Sequence, residues 1–213
     1  MYKRQRRGYY GSKVSKIGVY RDYPVSPVWE IPGRAYFDEL RRVAKHYIVW
    51  GCNYFSYEFA PGRIVWDKCK KGTSFSDCEL AATDLFNTVR LFRFMWNGML
   101  QGKSVAEGHI MQGNKKLNEQ RIHPTQKPVE ILEKLLDNTQ WAEGVMDAFG
   151  GSGTTLIAAE SIGQKSYLME LSPQFVDTIV KRYIRTTGKT SGIRLFRKGK
   201  ELGREHFERM FTE

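Results

Sequence analysis

The sequence predicts an α/β fold with a mostly parallel, doubly wound sheet and an antiparallel edge, and three observations carry that expectation. The apolar run Gly144-Val145-Met146 feeds Asp147, a glycine-rich turn follows through Thr155, and the helical start Leu156-Ile157-Ala158-Ala159 comes next. That order is strand, turn, helix, and the glycines let the backbone turn sharply while a ligand approaches closely. One strand later, Lys165-Ser166-Tyr167-Leu168-Met169 ends in Glu170, about 20 residues past the turn, where a doubly wound sheet places the acid that binds ribose hydroxyls. Further strand candidates lie upstream: Tyr47-Ile48-Val49-Trp50 reads as a short buried parallel strand, and Val89 to Phe94 alternates apolar and basic residues as a half-exposed strand does.

Composition bounds the function. A chain of 213 residues is long enough for one α/β domain with a proper core. Its net charge of +11 and pI near 9.6 favour a polyanionic partner, most simply nucleic acid. Charge alone does not separate DNA from RNA or an anionic membrane surface. There is no apolar run of transmembrane length, and the basic opening lacks the apolar core of a secretory signal. Cys52, Cys69 and Cys78 are odd in number and lack C-x-x-C spacing, which argues against a disulfide framework or a metal site and suits a reducing cytoplasm.

In chain order, residues 1–25 read as a basic arm or a cut start, with Lys3, Arg4, Arg6, Arg7, Lys13, Lys16 and Arg21 ahead of the first acid. A helix is expected after Pro32 with Tyr36, Leu40 and Val43 on its buried stripe. Residues 63–68 form another strand candidate, with Trp66 as core. Ser74 to Thr83 reads as turn then strand. Arg90 and Arg93 belong on the surface of an antiparallel edge strand. Residues 97–122 lose periodicity and read as a long polar loop. Pro128 to Leu136 reads as a helix with proline in its first turn and Val129, Leu132, Leu135 and Leu136 on one face. Ser172-Pro173 caps a last helix with the stripe Val176, Ile179, Val180 and Tyr183, and residues 188–213 form a basic tail.

The turn itself admits three readings. A P-loop requires a lysine after its last glycine, and none follows Gly153; a dinucleotide turn requires a third glycine where Leu156 stands. An ordinary tight turn between strand and helix is the third. Ser152 and Thr154 suit the capping of the new helix, and Asp147 repels a polyphosphate, so a cationic or hydroxyl-rich ligand fits better.

Asp147-Ala148-Phe149-Gly150-Gly151-Ser152-Gly153-Thr154-Thr155, with Glu170 beyond the next strand, resembles the S-adenosylmethionine site of DNA amino-methyltransferases. His123-Pro124-Thr125-Gln126-Lys127-Pro128 resembles the H-x-T-Q-K-P segment of the same family, in the permuted order that puts the catalytic half first. The resemblance implies a Rossmann-like methyltransferase fold over residues 26–187, with 97–122 as a short target-recognition loop. It implies S-adenosylmethionine as cofactor, held by Asp147, Phe149, Gly150, Gly151, Ser152, Gly153, Thr154, Thr155 and Glu170 with His123, Gln126 and Lys127 nearby. Gly51-Cys52-Asn53-Tyr54-Phe55 resembles a family turn at the ligand crevice, although Tyr54 and Phe55 also suit a core. The implied partner is double-stranded DNA, met by Asn53, Tyr54, Lys68, Arg90, Lys103, Lys115, Lys116 and Arg121.

The family methylates an exocyclic amine with a [DSN]-P-P-[YFW] tetrapeptide that draws the amine out of conjugation and stacks the extruded base. No such string occurs here; the nearest is Arg21-Asp22-Tyr23-Pro24, with its residue types in another order and without the paired proline. The expectation is therefore a site-specific enzyme, adenine-directed from the 51–55 and Trp66-Asp67-Lys68 neighbourhood, in a copy lacking its N-terminal motif, with Asp22 the weak candidate acid. A cytosine N4 enzyme, or a DNA- or cofactor-binding protein without transfer, are the alternatives.

Overall fold

The computed structural model describes residues 31–69, 76–97, 100–102, 119, 122, 123, 125–139, 142–191, 193–203 and 205–208. They divide into two compact units, one within residues 28–119 and the other from residue 120 onward.

In the 28–119 unit, α1 spans Arg34–Val43 and closes on Ala44, whose N–H donates to the Leu40 carbonyl at 3.0 Å. Arg41 and Arg42 in its last turn suit the negative end of the helix dipole. The expected stripe is displaced by one residue: Phe37 is the buried side chain, while Val43 is exposed. The surface α1 meets is aromatic, with Phe55, Tyr57 and Phe59 lying 5.0, 4.9 and 5.3 Å from the Phe37 ring. Ring against ring at Phe37 buries more area than the aliphatic side chains Leu40 and Val43 offer.

A mixed sheet follows, in the order β1-β3-β2-β4, from β1 (Ile48–Trp50), β2 (Gly62–Asp67), β3 (Cys78–Thr83) and β4 (Val89–Arg93). β1 is half-buried and antiparallel to β3 rather than a buried parallel strand; a short apolar run does not specify the direction of its partner. β2 pairs antiparallel with β3 and parallel with β4. Its inward residues Ile64 and Trp66 are the centre of this core, and the Trp66 indole N–H donates to the Phe94 carbonyl at 3.0 Å. β4 runs parallel to β2, not as an antiparallel edge, and Val89 and Leu91 stay exposed. Among the described residues β4 pairs with β2 alone, and of its five residues only Phe92 is partly covered. The loop expected over 97–122 begins as a hairpin, β5 (Met95–Asn97) with β6 (Leu100–Gly102). The Gln101 side chain ties Glu119 back to it by two 2.9 Å bonds, one donated and one accepted.

In the unit from residue 120, α2 spans Val129–Asp137 with Pro128 at its N-cap, one position earlier than expected. Ile131, Leu135 and Leu136 are its buried residues. Leu136 meets Ala158 and Ala159 of α3 (Thr154–Ser161), and Val129, Leu132, Val145 and Ile162 pack around that contact. The alanines let the two helices approach closely. β7 (Val145–Asp147) and β8 (Ser166–Leu168) pair in parallel. α4 (Pro173–Thr187) carries Pro173 at N1 and buries Ile179 as expected, but it also buries Phe175 and leaves Val176 exposed. It ends on Gly188 at φ 69°. Within the expected basic tail, the described residues form a hairpin, β9 (Leu195–Arg197) with β10 (Lys200–Leu202), and α5 (Glu205–Glu208). Among the described residues no helix is long and apolar enough to cross a membrane, and no cluster of His, Cys, Asp and Glu is arranged to hold a metal.

Candidate cofactor-binding site

Backbone pairing between β7 and β8 continues past the strands into the glycine turn. Val145 N–H donates to the Lys165 carbonyl at 2.9 Å, Met169 N–H to the Asp147 carbonyl at 2.9 Å, and Gly150 N–H to the Met169 carbonyl at 2.8 Å. The Asp147 carboxylate then spans the turn. Its Oδ1 accepts the Phe149 N–H at 3.0 Å and its Oδ2 accepts the Thr155 hydroxyl at 2.6 Å. A negative group beside the first turn of α3 also suits the helix dipole.

Gly151 and Gly153 sit at φ 53° and 73°, the left-handed region that favours glycine. A Cβ on Gly153 would lie 2.9 Å from Ile179 Cγ2, so α4 presses directly on the turn. Gly153 is the N-cap of α3, and no side chain caps it. Ser152 and Thr154 therefore do not serve as the caps the sequence suggested. Both are buried, their hydroxyls meet at 2.9 Å, and Thr154 donates to the Lys127 carbonyl at 3.2 Å. The group that draws them inward is Arg182 of α4. Its Nη1 lies 2.9 Å from the Ser152 carbonyl, 3.2 Å from Ser152 Oγ and 3.0 Å from Thr154 Oγ1. No motif in the sequence singles out Arg182. The available signal was its position at i+7 from Phe175 and i+3 from Ile179, on the stripe of α4 that faces the turn.

Glu170 closes the arrangement. Its Oε2 accepts the Gly151 N–H at 2.8 Å across 19 residues of chain, and its Oε1 accepts the Ser172 N–H at 2.8 Å. Each oxygen keeps a further acceptor lone pair, held in fixed orientation beside the turn. His123 and residues 125–128 fold onto the same place. His123 is 6% exposed; its ring meets Phe175 edge-on at 4.5 Å, and its Cε1 lies 3.8 Å from where a Cβ on Gly151 would be. Its Nδ1 accepts the Thr125 N–H at 3.2 Å, which leaves Nε2 to carry the proton of the neutral ring. Gln126 is buried, and its Oε1 accepts the Ile122 N–H at 2.9 Å. The contact of Lys127 with the turn is through its backbone, at Thr154.

The structure thus brings Asp147, the 149–155 turn, Glu170, His123 and Lys127 into one neighbourhood. Phe149, Met169 and Leu171, beside the turn and Glu170, are exposed. Carboxylates among exposed apolar side chains suit a ligand with hydroxyls, a cationic centre and a flat ring. They do not suit a polyphosphate, which needs converging N–H groups and positive charge.

The described candidate DNA contacts belong to the 28–119 unit. Asn53 and Tyr54 form an exposed 3-10 turn, Cys52–Tyr54, after β1. Lys68 is largely buried: it pairs with Glu79 at 2.7 Å and sits 5.0 Å from the Trp66 ring, so its charge is used inside the unit. Arg90 is exposed over the Phe86 ring at 5.9 Å. Asp22, Lys103, Lys115, Lys116 and Arg121 lie outside the described residues.

A parallel strand pair, a glycine turn opening a helix, and an acid beyond the second strand bonded back to that turn define a Rossmann-type α/β protein. Residues 22–181 match the model of the N6_N4_Mtase family, described as DNA methylase, and the chain belongs to that family. It is similar to the type II methyltransferase M2.LlaDCHI of Lactococcus lactis subsp. cremoris, 30% identical over 145 residues, covering 67% of this chain and 47% of that one. It is also similar to M2.MboI of Moraxella bovis, 37% identical over 62 residues, covering 29% and 23%. The matches thus span less than half the length of these curated relatives. Among solved structures, the putative DNA modification methylase TTHA0409 of Thermus thermophilus, complexed with S-adenosyl-L-methionine, aligns over 76% of this chain and 86% of that one, at 19% identity and a TM-score of 0.40.

Proposed function

We propose that this chain holds S-adenosylmethionine on the 147–155 turn and serves in site-specific methylation of DNA, at the exocyclic amine of adenine. The observation that carries the reading is Glu170 bonded to Gly151, which fixes two acceptor lone pairs where ribose hydroxyls would donate. Membership of the family supports DNA as the substrate. When bound, the cofactor supplies an electrophilic methyl group on a sulfonium. The chain's own residues bind and orient it: Glu170 accepts from the hydroxyls, Gly150 and Gly151 leave room for close approach, Phe149 offers an apolar face, and Asp147 holds the turn in register. His123 and Phe175 back the turn and exclude water from behind it.

The test has two arms. In calorimetry the wild-type chain is expected to bind S-adenosylmethionine, with Asp147→Ala and Glu170→Ala weaker; no binding by the wild type would refute the reading. In the second arm, labelled cofactor is incubated with unmodified duplex DNA. No [DSN]-P-P-[YFW] string is present to draw an amine out of conjugation, so no transfer by this chain alone is expected. Transfer abolished by Asp22→Ala would instead assign the acid's role to Asp22.

A further inference from the structure

The chain beyond α4 builds an element that the cofactor site does not use. β9 and β10 pair antiparallel with Arg197 opposite Lys200, Phe196 opposite Glu201 and Leu195 opposite Leu202. Lys198 and Gly199 close the hairpin at φ 51° and 76°, the left-handed pair that matches the twist of the strands. Of the strand residues only Leu202 is even partly covered. The hairpin therefore adds little to any core, and a two-stranded ribbon on its own is marginal in water. What holds it is a clamp: Arg194 Nε and Nη2 each donate at 2.7 Å to one oxygen of Glu201. That pairing holds the Glu201 carboxyl below its ordinary range and raises Arg194.

The charges left over are arranged against the hairpin's own stability. Glu201 is the only acid between residues 194 and 203, and Arg194 occupies it. Arg197, Lys198 and Lys200 make no ion pair among the described residues. Arg197 and Lys200 are direct cross-strand partners, which places like charges on one face of the ribbon, a destabilising arrangement. Lys198 occupies a backbone conformation that a side chain disfavours. A polyanion with closely spaced charges relieves the first of these costs. A two-stranded ribbon is also of a width that the major groove of duplex DNA admits.

We propose that the β9–β10 hairpin is a DNA-docking element whose tip, Arg197, Lys198 and Lys200, contacts phosphates of the duplex backbone. The choice of duplex DNA as the polyanion rests on the reading of the chain given above. Contacts of this kind position the protein without reading sequence, so the hairpin adds affinity and register to whatever residues recognise the target.

The experiment is a salt series of fluorescence anisotropy with a short labelled duplex, comparing wild type with the triple variant Arg197→Gln, Lys198→Asn, Lys200→Gln. Asparagine keeps the left-handed turn accessible. Each lost phosphate contact flattens the dependence of log K on log salt by about 0.9, so the triple variant is expected to lose about 2 to 3 in slope and at least ~10-fold in low-salt affinity. Cofactor titration of the same variant is expected to match wild type. A control, Lys45→Gln, Lys165→Gln, Arg185→Gln, removes equal charge from other exposed positions and is expected to change the slope less. An unchanged slope in the hairpin variant, or equal losses in both triples, overturns the proposal. Hairpin-dependent binding to phosphatidylserine vesicles with none to duplex overturns it as well. A wild type that ignores the cofactor but loses DNA through the hairpin triple would sink the cofactor reading and leave the hairpin's role standing.

Discussion

Gly153→Ala probes the seat of α4 on the glycine turn. At φ 73° a Cβ is disfavoured by about 1–2 kcal/mol. The same Cβ would lie 2.9, 3.2 and 3.3 Å from Cγ2, Cγ1 and Cβ of Ile179. Ile179 is only 8% exposed and β-branched, so it has little room to swing away; overpacking of this kind costs about 1–3 kcal/mol. Together the substitution is expected to lower stability by about 2–5 kcal/mol, read as a fall in urea midpoint at unchanged m. Ile179→Ala removes all the crowding atoms except Cβ, so the double variant separates the two causes. The overpacking share, about 1–3 kcal/mol, is expected to appear as coupling between the substitutions, while the left-handed share remains. Additivity within about 0.5 kcal/mol, or a loss below about 1 kcal/mol for Gly153→Ala alone, would refute the packing of α4 on the turn.

Arg182→Gln is expected to weaken cofactor binding more than Arg182→Lys, because a lysine ammonium still reaches a hydroxyl while its charge is kept; equal losses would mean that Arg182 only packs. Asp147→Asn can still accept from Phe149 N–H and donate to Thr155, so it is expected to cost about 1 kcal/mol of stability against about 2–3 for Asp147→Ala; thermal melts that rank the two the other way would contradict the turn geometry. The hairpin clamp is sensitive to acid. Glu201 has its carboxyl pKa lowered from 4.5 in the folded chain, chiefly by the hydrogen bond from Arg194. Its contribution is thus present above 4.5 and is lost as pH falls through the lower folded value. Hydrogen-exchange protection of β9 and β10 is expected to drop in that acid window and to be flat above it, and Glu201→Gln should remove the dependence.

Much of the site was readable because it is local. The strand, the glycines, the helix start and Glu170 follow one another at spacings set by the backbone, and the structure joins Glu170 to Gly151 directly. Features that depend on a partner were not readable. Ser152 and Thr154 look like caps in one dimension, but Arg182, some 28 to 30 residues on, takes their hydroxyls. Ile179 of α4 is buried as its spacing suggests, but Phe37 of α1 and Phe175 of α4 are buried in place of the neighbouring Tyr36 and Val176, since the opposing surface decides which residue of a helix is covered. β1 offers three apolar residues that fit either strand direction, and its antiparallel pairing comes from β3. The tail from Arg194 reads as a charge run because the ribbon has almost no apolar alternation; its register is set by the Lys198-Gly199 turn and the Arg194–Glu201 clamp.

The 147–155 turn and Glu170 are expected to form a site for S-adenosylmethionine. Isothermal titration of the cofactor into the wild-type chain and Glu170→Ala, side by side at matched stability, tests it most directly. One-to-one binding by the wild type is expected, with a loss of about 1.5–3 kcal/mol on removing the acceptor carboxylate. Equal binding by the two chains would contradict the role of Glu170, and no heat from the wild type at millimolar cofactor would contradict the site.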